Sequence, residues 1–530
     1  MKLFFVAASI AAFGMGSILN IGVALLLALR SKSKGVDALA YGAAMGILAH
    51  AFIGLVIALG IFPSRWVGGF ALICGNIASL IYLIRYKRPD FFDLLADKFS
   101  IIGIVGAFSA VVFSLFMAFL PVKMPDILID GPYVIKNNNI HVRIQHITGD
   151  LPADNVIPHI VSEFFLRHIS FKIERPVLPG QEVSNRPVLM SLVVLPFRDL
   201  IDPPEKQIER LARFSYVGTS WPDVAPLADN RPFIQFLAIA VVLNAMLVLS
   251  IAFVMSRFEF SVGVAVLAIG TFVASPYFLS QILFTWPKAL AGFFLLLSLC
   301  EILGRKRAYV IGLLAAGAYW SHPYAIVFAF SFFVYLLFCD EKNYFTSRII
   351  FSAKYIFAWV VAVLPWFVWT KGYLHIPSDL VSQNLSTGET LLNIIWVRFY
   401  NIYQLLTPGV FGVYPFNSQS AFNSLIITLP GLVGLAFFIP GYVGIVSRYP
   451  DRVFISGFYV TLPALLLTFV FSSPAVPALH GFQAIAPMVF ILGLHWMHRI
   501  KVSNLIICAL LCLQIFMNLG VWAMRIYSLI

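Results

Sequence analysis

The carboxylates that could act as a catalytic base lie in one short turn of the sequence. Asp150 and Asp154 occur four residues apart in the segment GDLPADN. A carboxylate can act as general base on an acceptor hydroxyl when it lies within hydrogen-bond distance of the proton. Asp154 also stands where the N-cap of the following apolar run is expected, so helix capping is the alternative role. Asp126 and Asp130 are two further carboxylates of the same region.

Candidate phosphate-binding groups are basic side chains in other segments. Lys288 follows Trp286 and Pro287 in the string FTWPK and begins an apolar run. A lysine at a helix N-terminus opposes the helix dipole, so helix stability does not explain it. It could hold a phosphate together with the backbone N–H groups of the helix start, whereas snorkelling towards lipid headgroups is the alternative. Four more basic residues are candidates for the same role, although each alone could be an ordinary interfacial residue: Arg186, His322, Arg398 and His480.

The composition indicates the environment in which these residues work. Of 530 residues, 60% are hydrophobic and 11% are charged, and the mean hydropathy is +0.90. Soluble domains carry roughly 45–50% apolar and about 25% charged residues. This composition therefore predicts a polytopic membrane protein and excludes a disordered chain, a fibrous repeat and a cytosolic enzyme. The 5 cysteines have no CxxC spacing, so neither a disulfide framework nor a thiolate metal site is predicted.

Apolar runs long enough to cross a membrane predict an all-α protein with about 14 transmembrane helices. The runs begin near Leu3, Asp37, Trp66, Ile101, Phe233, Phe260, Pro287, Ala308, Tyr324, Tyr355, Ala421, Val453, Phe482 and Val502. Alternate connecting loops are basic, and the positive-inside rule makes those loops cytoplasmic. Residues 122–231 and 371–420 then form outer loops, and both termini face outward. Five candidate residues fall on this outer side: Asp154, Lys288, His322, Arg398 and His480.

The first outer loop is too long to be a simple connection between neighbouring helices, so it should be a structured unit. The apolar residues after Asp154 recur with helical spacing, which predicts an amphipathic helix lying on the membrane. A second run, NRPVLMSLVVLPFRDLI, begins at Asn185 and is too short to span the bilayer. We therefore expect two interfacial helices next to the turn that carries Asp150 and Asp154.

In these features the chain resembles the GT-C superfamily of integral-membrane glycosyltransferases, which includes protein O-mannosyltransferases and lipid A aminoarabinose transferases. The resemblance rests on the architecture and on the strings GDLPADN, NRPVL and FTWPK. It implies a division into N-terminal helices at 1–100, a core at 101–340 that contains the outer loop, and C-terminal helices at 341–530. It also implies transfer of a sugar from a polyprenyl-phosphate carrier to an acceptor on the outer face.

The resemblance assigns roles to particular residues. The family's base, an Asp or Glu of the first outer loop, matches Asp154 best, with Asp150 second. Its phosphate-contacting cations match Lys288 and Arg398. The acceptor could be a glycan, a lipid or a protein, and we expect membrane lipid but no nucleic acid as a partner.

We expect no cofactor and no obligatory metal, because the histidines of the outer loop lack the spacing of a catalytic zinc site. The expected location is a bacterial inner or plasma membrane, with the active site facing outward. A polysaccharide polymerase or O-antigen ligase and a lipid or solute transporter are the alternative functions. A transporter would be distinguished by ionisable residues at membrane depth and by inverted repeats.

Overall fold

The computed structural model describes most of the chain, with gaps that include much of both predicted outer loops. The described residues are 2–29, 35–61, 66–120, 157–168, 170–171, 187–201, 230–285, 287–304, 307–338, 344–375, 390–393, 395–396, 421–447, 453–455, 457–459, 461–462 and 476–529. All regular secondary structure within these ranges is helical, and no strand occurs in them. The predicted all-α class is therefore confirmed.

Seventeen helices are named here in chain order. They are α1 (Lys2–Leu29), α2 (Gly35–Ala58), α3 (Val67–Tyr86), α4 (Arg88–Ala96), α5 (Lys98–Phe119), α6 (Ile157–Leu166), α7 (Leu189–Ile201), α8 (Asn230–Arg257), α9 (Val262–Ala274), α10 (Pro276–Leu283), α11 (Lys288–Gly304), α12 (Ala308–Ser321), α13 (Ala325–Phe338), α14 (Phe345–Phe367), α15 (Ala421–Ser447), α16 (Val476–Arg499) and α17 (Asn504–Leu529).

Eight helical segments in the described residues are long and apolar enough to cross a membrane. They lie in α1, α2, α3, α5, α8, α14, α15 and α17. A helix rises about 1.5 Å per residue, so about 20 residues cover the hydrocarbon core. Several such helices make this a multi-pass membrane protein, as the composition predicted.

Two predicted spans are interrupted by proline. The run from Phe260 breaks after Ser275, and Pro276 begins α10. Proline is well suited to the first position of a helix because its missing N–H would have no partner there. The next break separates α12 from α13 at His322 and Pro323, where the sequence predicted a split pair.

The chain folds into two compact units. Unit 1 consists of Met1–Leu249, Leu279–Pro287 and Ala523–Ile530, and unit 2 of Ser250–Phe278 and Lys288–Trp522. In unit 1, α1 and α2 approach closely because small residues face each other. A Cβ added at Gly22 would lie 1.9 Å from the Gly42 carbonyl oxygen, and one at Gly46 would lie 1.9 Å from that of Ile18. Close backbone approach through small residues is a common way to associate transmembrane helices.

A chain of hydrogen bonds joins the first three helices inside unit 1. His50 Nδ1 donates to the Gly46 carbonyl oxygen at 2.6 Å, so its Nε2 is the acceptor for the Ser17 hydroxyl at 2.9 Å. Asn76 Nδ2 donates to Ser17 Oγ at 2.7 Å, and Asn20 Nδ2 donates to Asn76 Oδ1 at 3.1 Å. The network pairs the polar groups of α1, α2 and α3 with one another, which a membrane interior demands.

Replacing His50 tests how much this network contributes. We expect His50→Leu to lower the free energy of unfolding by about 1–3 kcal/mol, because the buried Ser17 hydroxyl loses its acceptor. Thermal unfolding in detergent measures the change. His498→Leu is the matched control, since His498 is exposed near the end of α16. Equal stability of the two variants would show that the network is dispensable.

Candidate functional site

The structure describes the side chains of two of the predicted site residues. Lys288 is the first residue of α11, and His322 follows the last residue of α12. Asp150, Asp154, Arg186 and Arg398 lie outside the described residues. His480 belongs to α16, but its side chain is likewise outside the description.

The packing of α11 against α12 brings Lys288 and His322 to the same end of unit 2. The two helices are joined by a short connection and pack along their length, so they form an antiparallel hairpin. A Cβ at Gly317 would lie 3.0 Å from the Phe294 ring, which fixes the register. Lys288 lies about 9 Å along α11 from that contact, and His322 about 7.5 Å along α12, in the same direction.

Both cationic side chains are buried in the protein. Lys288 and His322 are each 3% exposed. A lysine that snorkelled towards lipid headgroups would leave its ammonium at the protein surface, so snorkelling does not describe Lys288. His322 is held by its neighbour: the Tyr324 N–H donates to Nδ1 at 3.4 Å, and the two rings stack with centroids 5.1 Å apart. The structure therefore supports an internal role for these cations.

Helix α14 brings aromatic side chains to the same end. It runs parallel to α12, because Gly312 contacts Tyr355 early in both helices and the Trp320 indole N–H donates to the Ala362 carbonyl oxygen at 2.9 Å near their ends. Trp320 contacts Trp366 at a centroid distance of 5.6 Å. The ends of α12 and α14 thus form one aromatic cluster.

The last turn of this arrangement is a π-helix. After Pro365, α14 continues as the π-helical segment Val368–Tyr373, which carries Trp369 and Lys371. Trp369 contacts Trp366 at 5.4 Å, and the Thr370 hydroxyl donates to the Trp366 carbonyl oxygen at 2.9 Å. Single π-helical turns occur frequently at functional sites, because they change the direction in which side chains point.

A second polar cluster, in unit 1, was not predicted from the sequence. Arg198 of α7 is 1% exposed and donates to Glu163 of α6 at 2.7 and 3.1 Å. Its other terminal nitrogen donates to Gln235 of α8 at 2.6 Å. Arg167 donates to the second Glu163 oxygen at 2.9 Å. We call these four residues with His159 the charge cluster.

The charge cluster corrects the expected position of two helices. The sequence predicted that α6 and α7 exist, and they do, but it placed them on the membrane surface. Almost every residue of both helices is buried, and α7 packs against α2, α3 and α6. Their polar residues are satisfied by each other rather than by water, which explains why the amphipathic pattern did not indicate an exposed face.

The electrostatics of the cluster keep Glu163 ionised. Burial alone would raise the pKa of this carboxyl, but the charges of Arg198, His159 and Arg167, with the Arg198 hydrogen bonds, hold it at about 2. A carboxylate with so low a pKa and with two arginine partners is a poor general base at neutral pH. Glu163 therefore does not replace Asp154 or Asp150 as the candidate base.

His159 occupies an apolar pocket beside the ion pairs. It is 1% exposed and packs against Phe233 and Phe236, with ring centroids 5.5 and 5.3 Å away. Neither ring nitrogen has a hydrogen-bond partner in the described part of the protein. Burial lowers its pKa to about 4, with Glu163 acting in the opposite direction and Arg198 and Arg167 adding to the lowering. His159 is therefore neutral at physiological pH.

Asp199, next to Arg198, ties α7 to a third helix. Its carboxylate accepts hydrogen bonds from the backbone N–H groups of Trp66, Gly68 and Gly69 at 3.2, 2.9 and 3.1 Å. These groups lie at the start of α3, where backbone donors have no partner within the helix. A carboxylate is favoured there by the helix dipole. Asp199 thus caps α3 from a distant part of the chain.

One sequence signal could have revealed the cluster. Glu163 and Arg167 have the i, i+4 spacing of a helical ion pair. Arg198 gave no such signal, because its partners are 35 and 37 residues away. The described residues contain no group of three or more His, Cys, Asp or Glu side chains placed to hold a metal ion.

Comparison with known proteins does not assign the chain to a family. No protein-family model, no curated protein and no solved structure matches it. The likeness to glycosyltransferases therefore depends on the features of the chain itself.

The charge cluster predicts a large effect of a small substitution. Glu163→Gln should destabilise the protein by about 3–5 kcal/mol, because Arg198 is left with an uncompensated buried charge. The double variant with Glu163→Leu and Arg198→Met should recover much of this loss, because both charges are removed together. Thermal unfolding in detergent measures both, and Glu259→Gln, at an exposed position, is the control. A single variant as stable as the control would contradict the ion pair.

The lowered pKa of His159 predicts a loss of stability in mild acid. An unfolded chain binds the His159 proton near pH 6.5, whereas the folded protein binds it only near pH 4. The stability that the neutral ring contributes is complete above pH 6.5 and is lost as the pH falls from 6.5 to 4. In His159→Phe this loss should be smaller than in the unsubstituted protein when unfolding is measured across that range. Glu163 titrates below it, between about 4.5 and 2, so its effect is separable.

Proposed function

We propose that the protein is a GT-C-type glycosyltransferase that moves a sugar from a polyprenyl-phosphate donor to an acceptor hydroxyl. One observation carries the proposal most: Lys288 and His322, which are far apart in sequence, lie buried at the same end of unit 2 beside an aromatic cluster. A buried cation at a helix start suits a lipid-linked phosphate, because the ammonium and the backbone N–H groups both favour negative charge.

The reaction needs few catalytic groups. A new bond forms between the acceptor oxygen and the anomeric carbon while the bond from that carbon to the phosphate oxygen breaks. The base, which we assign to Asp154 with Asp150 as the second choice, takes the acceptor proton. Lys288 neutralises the charge that develops on the departing phosphate. Arg186, Arg398, His322 and His480 are the further candidates for contacts with substrate, and no metal or cofactor has a step in this scheme.

The proposal includes the finer topology. We assign about 14 transmembrane helices, with residues 122–231 and 371–420 facing outward by the positive-inside rule. The reaction would take place at the outer face of a bacterial inner or plasma membrane, where a lipid carrier presents its sugar. The acceptor is a glycan, a lipid or a protein.

One observation favours a second candidate, a transporter. Glu301 of α11 is 1% exposed, and neither of its carboxylate oxygens has a hydrogen-bond partner among the described residues. Ionisable groups within membrane helices are often part of an ion or proton pathway. The charge cluster adds buried ions of unit 1 to this observation. Uptake or efflux that depends on Glu301, without sugar transfer, would favour this function.

Variants of Lys288 test the proposed transfer. Lys288→Ala should slow transfer from a polyprenyl-phosphate sugar about 10- to 100-fold, because a charge-assisted hydrogen bond to phosphate contributes about 1.5–3 kcal/mol. Lys288→Arg should keep part of the activity. Lys354→Ala, an exposed lysine of α14, is the control. The assay follows a radiolabelled sugar from the lipid donor into acceptor material.

The same assay locates the base. Asp154→Asn should be folded and about 10²- to 10⁴-fold slower, since Asn caps helices about as well as Asp but cannot accept the proton. If Asp150→Asn, Asp126→Asn or Asp130→Asn is the slow variant instead, the base moves to that residue. Full activity of Lys288→Ala and of all four Asp variants would overturn the glycosyltransferase proposal.

A further inference from the structure

We infer that the sugar carried by the donor has no positive charge and that its ring stacks on the tryptophans at the ends of α12 and α14, beside the phosphate at Lys288. The inference rests on the proposed function and adds a substrate class to it. We call Trp320, Trp366 and Trp369 the tryptophan row.

The tryptophan row is a rigid surface. Trp366 is 5% exposed and contacts both other members, at 5.6 Å to Trp320 and 5.4 Å to Trp369. The Trp320 indole is further fixed by its hydrogen bond to the Ala362 carbonyl oxygen. Trp320 and Trp369 are partly exposed and so keep part of their surface available. A surface whose rings are already fixed loses little conformational entropy when a ligand binds.

An aromatic belt at the membrane interface does not account for this arrangement. Belt residues face lipid headgroups with most of their ring. Here Trp366 is buried, and so is Tyr319, which stacks on Phe367 at 5.9 Å with 21° between the rings. The aromatic side chains therefore pack towards the protein and surround the helix ends that carry the cations.

The chemistry of the row suits a sugar ring. The face of an aromatic ring carries partial negative charge and attracts groups with partial positive charge, such as the C–H bonds of a pyranose face. The hydroxyls at the edge of the sugar stay free for hydrogen bonds. A polyprenyl chain would gain only apolar contact from these rings, and apolar contact is available from lipid-facing residues throughout the protein.

The charge at this end selects against an amino sugar. Lys288, His322 and Lys371 all belong to these helix ends. The described segments 288–292, 316–325 and 362–375 contain no Asp or Glu. A protonated amine on the sugar would be repelled by the ammonium groups and would find no carboxylate in these segments. A neutral hexose pays no such penalty.

Binding measurements on the full-length protein in detergent test the inference. The probes are short-chain polyprenyl phosphate, the same lipid carrying a neutral hexose, and the same lipid carrying an amino sugar, each titrated calorimetrically. We expect the hexose lipid to bind about tenfold more tightly than the bare phosphate, which is within the range of one aromatic stacking contact. The amino-sugar lipid should bind no more tightly than the bare phosphate.

Substitutions assign the preference to the row. Trp369→Ala should reduce the hexose preference to less than about twofold while leaving the affinity for the bare phosphate unchanged, because it removes one stacking contact. Trp369→Phe should keep part of the preference, which separates lost stacking from a misfolded end. Phe330→Ala, at an exposed position of α13, is the control and should change nothing.

The outcomes separate this inference from the proposed function. If the bare phosphate binds but the hexose adds no affinity, or if the amino-sugar lipid binds most tightly, the sugar class is wrong while a lipid-phosphate site remains. A hexose preference that Trp369→Ala does not change would also overturn it. If none of the three lipids binds, the glycosyltransferase proposal fails as well.

Discussion

Two adjacent charges at the end of α7 constrain the arrangement of unit 1. A guanidinium and a carboxylate are both costly to bury, and that cost is offset only when each finds well-placed partners. Arg198 finds Glu163 on α6 and Gln235 on α8, while Asp199 finds the backbone donors at the start of α3. Since neighbouring residues of one helix make these bonds, α7 is held to three other helices at one point.

The membrane environment makes this constraint strong. In water, any one of these partners could be replaced by solvent at little cost, whereas a buried charge has no such substitute. The Ser17–His50–Asn76 network applies the same rule to neutral groups in α1, α2 and α3. Unit 1 is therefore organised by polar groups that must be paired, with apolar side chains filling the space between them.

The sequence predicted most of the helices but little of this polar organisation. Hydropathy and proline positions located the helix starts and the break at His322, because both depend on neighbouring residues. The burial of α6 and α7 could not be predicted, since the partners of Arg198 are more than thirty residues away. Lys288 and His322 were correctly expected on one side of the protein, but the tryptophan row was not, because only the parallel packing of α12 and α14 brings it together.

The glycine surface of α2 has a consequence for how the protein is made. Gly46 contacts α1, so the first two helices can pair as soon as they leave the ribosome. Gly54, on the same helix, has the Leu192 carbonyl oxygen 1.9 Å from where its Cβ would be, so that part of α2 is completed only when α7 arrives. More than a hundred residues are synthesised between these two events. During that interval the α7 side of α2 and the open N–H groups of α3 are exposed to lipid or to the insertion machinery, which makes the arrival of Arg198 and Asp199 the step that closes the unit.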